Sequence, residues 1–237
     1  MLQLTVLGGL TLGLEDGLVS GAMTQRRRLA LLALLAVARQ RGLSRDKIMA
    51  YLWAESDTAR ARHALNQLLH IQRKLLAGRE LFLGGKTLRL SPTAIRTDVG
   101  EFEDALDRGD LEAAAAVYGG PFVDGFFLKD APEFERWAEA QRHRLARRLC
   151  GALVDLANAA AARGEQARSA EWWRRAAEVD PLDSQIALDL IQALAAAGNR
   201  GGALHHARQH AERLHEELGV TPDPRIVQLV EQLRDAP

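Results

Sequence analysis

The chain has 237 residues, 47% apolar and 26% charged, with only 7 prolines and 20 glycines, which excludes collagen-like, mucin-like and disordered classes and leaves one large or two ordinary globular domains. A single cysteine, Cys150, rules out an internal disulfide and a cysteine-based zinc site and suggests a reducing compartment. The net charge of zero divides unevenly: residues 1–97 carry 15 Lys and Arg against 6 Asp and Glu, or +9, and residues 98–237 carry 16 against 25, or −9.

A basic stretch of about 100 residues suits a polyanion, because each neutralised phosphate releases condensed counterions. Pairing of the two halves with each other is the alternative. The N-terminus lacks the basic start and unbroken apolar segment of a signal peptide, and the apolar run 29–38 is about half a membrane span. A cytoplasmic protein without membrane contact is expected.

In chain order, Leu2, Leu4 and Val6, then Leu10, Leu12 and Leu14, alternate with polar or glycine positions around Gly8-Gly9 and Glu15-Asp16-Gly17, which predicts a small antiparallel sheet. Residues 26–40 are apolar almost all round and stop at Gly42, the pattern of a buried helix. Ser44 caps a short second helix with Ile48, Met49 and Leu52 at helical spacing. Asp57 caps a third, expected over 58–76 with Gly78 as its stop and about 28 Å long. Ala61, Leu65, Leu68, Leu69 and Leu76 form its apolar face; Gln72 falls where a core residue is expected.

The opposite face of this third helix holds His63, Asn66, Gln67, His70 and Lys74, with Arg62 and Arg73 on its flanks and Arg60 in its first turn; it has no acid. Amides and cations are the side chains that read adenine, guanine or phosphate in a major groove. A plainly solvated face is the alternative, though such a face normally includes acids. Leu81–Leu83 and Leu88–Leu90 then flank Gly84-Gly85-Lys86, a hairpin with a cationic tip. Three helices and this hairpin make a winged helix. The letters GGKT at 84–87 imitate a phosphate loop, but Glu80 stands where that loop needs glycine, and a strand follows where it needs a helix.

Beyond Thr97 the pattern is helical. Residues 98–118 divide at Arg108-Gly109-Asp110 into two short helices, 119–127 form an aromatic-rich loop, and a long helix runs from about Pro132 to Ala162. Corners at Gly164 and Gly198 lie 34 residues apart, the period of tetratricopeptide helix pairs, and Asp180-Pro181 closes the first pair. Of Trp172 and Trp173, at least one belongs to the core. His205, His206, His210 and His215 are expected as solvated residues of an outer helix rather than metal ligands, and Cys150 as packing rather than nucleophile. No serine elbow, zinc-protease helix or dinucleotide loop occurs, so neither enzymatic activity nor a cofactor is expected.

These residues resemble the SARP regulators, which join an OmpR-like winged helix to a bacterial transcriptional activator domain of tetratricopeptide-like helices. The resemblance rests on VLGGL, RRRLALLALLA, LSRDKIMAYLW and ESDTARARHAL in front, and on YGGPFVDGF, EFERWAEAQR, DPLD at 180–183 and ELGVTPDP at 217–224 behind. It departs at Gln72 and at Lys86-Thr87-Leu88, where the family often has Gly-Tyr. It implies a mainly α chain with a small β part: a DNA-binding winged helix over 1–97 and an activator domain over 98–237. It also implies double-stranded DNA as partner, usually at direct repeats occupied by a homodimer, and recruitment of RNA polymerase. His63, Asn66, Gln67 and His70 would then face base edges, with Arg62, Arg73, Lys74 and Lys86 at the backbone and Arg60 in the same DNA-contacting set. A protein adaptor with a structural winged helix, and a repressor, are the alternatives.

Overall fold

The computed structural model describes residues 1–14, 17–18, 25–75 and 80–235, with the side chains of 17–18 and 72–75 excepted. The expected turn at 15–16, the last helical position Leu76 and the stop at Gly78 lie outside the described residues. The chain forms two compact units, Met1–Leu145 and Ala146–Pro237.

In the first unit, β1 (Leu2–Thr5) pairs antiparallel with β2 (Thr11–Leu14), which pairs with β3 (Gly17–Leu18). The alternation expected of this sheet holds in part: Leu2, Leu4, Val6 and Leu12 are buried, whereas Leu10 is half-buried and Leu14 is 44% exposed. Helix α1 (Arg26–Ala38) buries every residue from Arg28 to Ala36 and passes into a single 3-10 turn, Arg39–Arg41, before Gly42. A two-residue strand, β4 (Leu43–Ser44), leads into α2 (Arg45–Leu52), capped as expected by Ser44, whose Oγ accepts from the Lys47 N–H at 3.2 Å. Helix α3 (Thr58–Leu75) opens on Asp57, whose carboxylate accepts from the Arg60 N–H at 2.9 Å. The hairpin of β5 (Phe82–Leu83) and β6 (Thr87–Leu90) completes the winged helix, with sheet order β4-β6-β5.

The next strand has no signature in the local pattern. Residues Ile95–Thr97 form β7, parallel to β1 and in register Leu2↔Ile95, so the N-terminal sheet runs β3-β2-β1-β7. Helices α4 (Asp98–Asp107) and α5 (Leu111–Val117) then stay with the winged helix: Val99 and Phe102 are fully buried, and the Asp98 carboxylate accepts from the N–H groups of Val6, Leu7 and Val99 at 2.7–3.0 Å. Burial raises the pKa of Asp98 and these three N–H bonds oppose the rise.

Gly8 and Gly120 meet backbone to backbone: a β-carbon on Gly8, at φ +89°, would sit 2.8 Å from Gly119 O, and one on Gly120 2.9 Å from Gly8 Cα. Phe122, fully buried, bridges to Leu7 and Gly9, so the two double-glycine motifs 111 residues apart in sequence form one joint. Helix α6 (Pro132–Ala162) contributes Phe134 and Trp137, which ring Phe122 and Phe126, and Arg142, whose Nε donates to Phe122 O at 2.9 Å. Of the loop aromatics, Phe122 is thus core, Phe126 is half-buried and Phe127 is exposed.

The second unit holds the rest of α6 with α7 (Gln166–Val179), α8 (Ser184–Ala196), α9 (Arg200–Leu218) and α10 (Pro224–Asp235). The expected corners are present. Gly164 and Gly198 sit at φ +78° and +76°, and in each corner the following N–H, of Glu165 or Asn199, bonds back five residues to Ala160 O or Leu194 O. Gly109, at φ +75°, repeats the arrangement in the first unit, with Asp110 N–H on Ala105 O, so α4 and α5 form a pair of the same kind. Trp173 is buried; Trp172 is half-buried beneath the Arg175 guanidinium.

The histidines of α9 correct the expectation of solvated side chains. His205 and His215 are exposed, but His206 is half-buried and His210 is 2% exposed. His210 Nδ1 donates to Pro181 O at 3.1 Å and Nε2 lies 3.3 Å from Ser184 Oγ, tying α9 to the junction before α8. Burial, then the charges of His210, Arg213, Arg174 and His205, pushes the pKa of His206 down to about 4 from 6.5. The unfolded chain therefore binds the extra proton between pH 6.5 and 4, and stability falls as pH drops through that window. Thermal melts across it should show this loss, and His206→Gln should lessen it; an unchanged pH profile in the variant would contradict the assignment.

Candidate nucleic-acid interface

The spacing of α3 sorts its residues as expected. Ala61, Leu65, Leu68 and Leu69 are at most 7% exposed, while Arg60, Arg62, His63, Asn66, Gln67 and His70 are all exposed on the other side. Lys86 is exposed at the wing tip. The side chains of Gln72, Arg73 and Lys74 lie outside the described residues.

The structure brings only some of these residues together. Arg62, Asn66 and Lys86 line a shared open cleft of about 540 Å³ between α3, the start of α2 and the wing, with Ser44, Arg45 and Thr87 also in its wall. His63, Gln67 and His70 lie on the open face of α3 outside it. Arg60 is turned back on its own cap, with Nε 3.0 Å from Asp57 Oδ2. Arg45 was missed: its Nε donates to Gly85 O at 2.8 Å and its Nη1 to Asn66 Oδ1 at 2.9 Å. Nothing in its local pattern distinguishes it from other surface arginines, because its partners lie 21 and 40 residues away.

Charge is sorted within the first unit rather than only between halves. Residues 98–145 hold 5 Lys and Arg against 12 Asp and Glu. Part of this acid answers part of the basic charge in front: Arg39, at the end of α1, meets Glu103 at 3.5 Å, Asp104, and Asp107 at 3.7 Å. Arg144 of α6 meets the same buried Glu103 at 2.7 Å. Pairing between the halves thus accounts for Arg39. The cleft has one acid, Asp46, among three cations, and α3 has none along its length.

Burial, then Asp180 and Asp183, raises the Cys150 thiol to about 11, so it stays protonated at neutral pH. Among the described residues no three His, Cys, Asp or Glu side chains group as a metal site, and no described helix is long and apolar enough to cross a membrane.

Residues 91–234 match the family model of the bacterial transcriptional activator domain. The chain belongs to that family. The activator-domain family consists of transcriptional regulators rather than enzymes, and its model covers the helices from α4 to α10. No curated protein matches the chain. A solved structure of Mycobacterium tuberculosis EmbR, in complex with a low-affinity phosphopeptide, is similar over the whole chain with a TM-score of 0.65 at 24% identity. The chain spans 66% of that protein's length. The fold likeness extends the resemblance from the activator domain to the winged helix, so the expected SARP-type architecture, mainly α with small sheets, is the one observed.

Proposed function

We propose that this activator-domain protein is a cytoplasmic, sequence-specific DNA-binding transcriptional activator. Residues 1–97 carry the contacts to double-stranded DNA, and residues 98–237 are the activator domain that pairs two copies on direct repeats and engages RNA polymerase. The observation that carries the reading is the acid-free exposed face of α3, with Arg62, His63, Asn66, Gln67 and His70, beside a cleft completed by Lys86. Hydrogen-bonding side chains on a long exposed helix suit base edges in the major groove; the cations of cleft and wing suit phosphates. Arg60, Arg73 and Lys74 belong to the same proposed contact set at the two ends of α3.

Duplex binding is expected to weaken steeply with salt, the log–log slope reporting the phosphates neutralised. Asn66→Ala and Gln67→Ala should each weaken a selected site more than random duplex, by about 1–3 kcal/mol of discrimination, while Lys74→Ala weakens both alike. A slope near zero would move the basic charge from DNA to a protein contact and favour an adaptor. Equal losses on selected and random DNA for all three variants would put the wrong face of α3 in the groove.

A further inference from the structure

Arg45 is where the wing, α2 and α3 meet. Its backbone N–H donates to Lys86 O at 3.1 Å, its Nε to Gly85 O at 2.8 Å, and its Nη1 to Asn66 Oδ1 at 2.9 Å. We infer that Arg45 is a positioning residue for base recognition, setting the Asn66 amide and tying that setting to the wing tip. The inference rests on the DNA-binding reading above and adds the residue through which wing and recognition helix read as one.

The chemistry of the two groups fixes the arrangement. A guanidinium has donors and no acceptor, so the amide edge facing it is the oxygen, and the Asn66 NH₂ points elsewhere. An exposed asparagine is otherwise free to turn, and turning exchanges donor for acceptor at the position a base edge must match. Holding it in one orientation before binding removes that ordering cost.

The second arm of the fork needs the wing tip where it is. Gly84 lies at φ +89°, and a β-carbon there would fall 2.2 Å from Thr87 O, so the tight path that presents Gly85 O belongs to glycine. The planar guanidinium spans both carbonyl oxygens at once. A lysine ammonium carries the charge but is a single point on a flexible stem.

The test measures discrimination, the ratio of affinities for a selected and a random duplex, in the full chain and in Arg45→Lys, Arg45→Met, Asn66→Ala and the double variant Arg45→Met with Asn66→Ala. Asn66→Ala is expected to lose discrimination about 5- to 150-fold, as for one base contact. Arg45→Lys and Arg45→Met should lose a similar factor, confined to the same base pair, with Arg45→Lys keeping its affinity for random duplex. The double variant should discriminate no worse than Asn66→Ala alone. Additive losses, full discrimination in Arg45→Lys, or no loss in Asn66→Ala would each overturn the inference. A parent chain that binds no duplex, or none selectively, would overturn the DNA-binding reading itself, before any variant is compared.

Discussion

Cut after Thr97, the winged helix is expected not to fold cooperatively, whereas residues 1–145 should melt in one transition. On that expectation, the role boundary proposed at 97/98 is not a boundary of stability. Beyond it lie the Asp98 carboxylate that satisfies the N–H groups of Val6 and Leu7, and the Val123 N–H that bonds Val6 O at 2.6 Å. Buried N–H groups left unmade cost about 1–3 kcal/mol each. Val99, Phe102, Phe122 and Val123 are all 0% exposed, and without them the surfaces they cover on the rest of the unit return to water. At about 1.5–3 kcal/mol per buried side chain, this approaches the whole stability of a small domain, about 5–15 kcal/mol.

Within the intact chain, Phe122→Ala should destabilise by about 3–5 kcal/mol, the range for removing a buried aromatic ring, and it should do so for the unit that contains α3. Denaturant melts of 1–97, 1–145 and the full-length variant decide the matter. A cooperative transition in residues 1–97 with a stability near that of 1–145 would show that α4 and the 119–127 loop merely rest on a finished domain.

The contrast between what local pattern revealed and what it hid tracks sequence distance. Helices α1, α2, α3 and α6 were legible because capping residues, glycine stops and apolar spacing act within a few residues; Ser44, Asp57 and the Gly164 and Gly198 corners do in the structure what their positions announce. Strand β7 was not legible, because Ile95–Thr97 becomes a strand only by pairing with β1 more than 90 residues earlier. The joint between Gly8 and Gly120, and the Asp98 carboxylate under Val6, are long-range in the same sense.

Exposure of the α3 face could be read from helical period alone, whereas the fork of Arg45 could not, since its partners belong to other elements. His210 was misjudged for a related reason: its face of α9 meets the Pro181–Ser184 junction rather than solvent. Charge misled in a more instructive way. The −9 of residues 98–237 suggests an acidic second domain, but 12 of its 25 acids lie in residues 98–145, within the first unit. The second unit, with 11 Lys and Arg against 13 Asp and Glu, is close to neutral.

That redistribution shapes the remaining expectation, that residues 1–145 bind DNA yet fail to activate. With little net charge, the second unit has no strong electrostatic attraction to a basic partner, so its contribution must come from shape and apolar contact, as stacked helix pairs provide. One winged helix reads a short site, and a genome offers such sites far too often for useful selectivity. Linking a second copy makes the second binding event intramolecular and raises avidity by about 10²–10⁴-fold without any new DNA contact. The full chain should therefore exceed residues 1–145 by such a factor on a duplex with two repeats, and match it on a duplex with one. A reporter behind the paired repeats should respond to the full chain alone. Equal occupancy of the paired site by both forms would remove the dimerising role. If the short form also drove the reporter, the second unit would be neither pairing surface nor recruiter, and activation would have to be sought on the acidic flank of the first unit, at Glu101, Asp104 and Asp107 of α4.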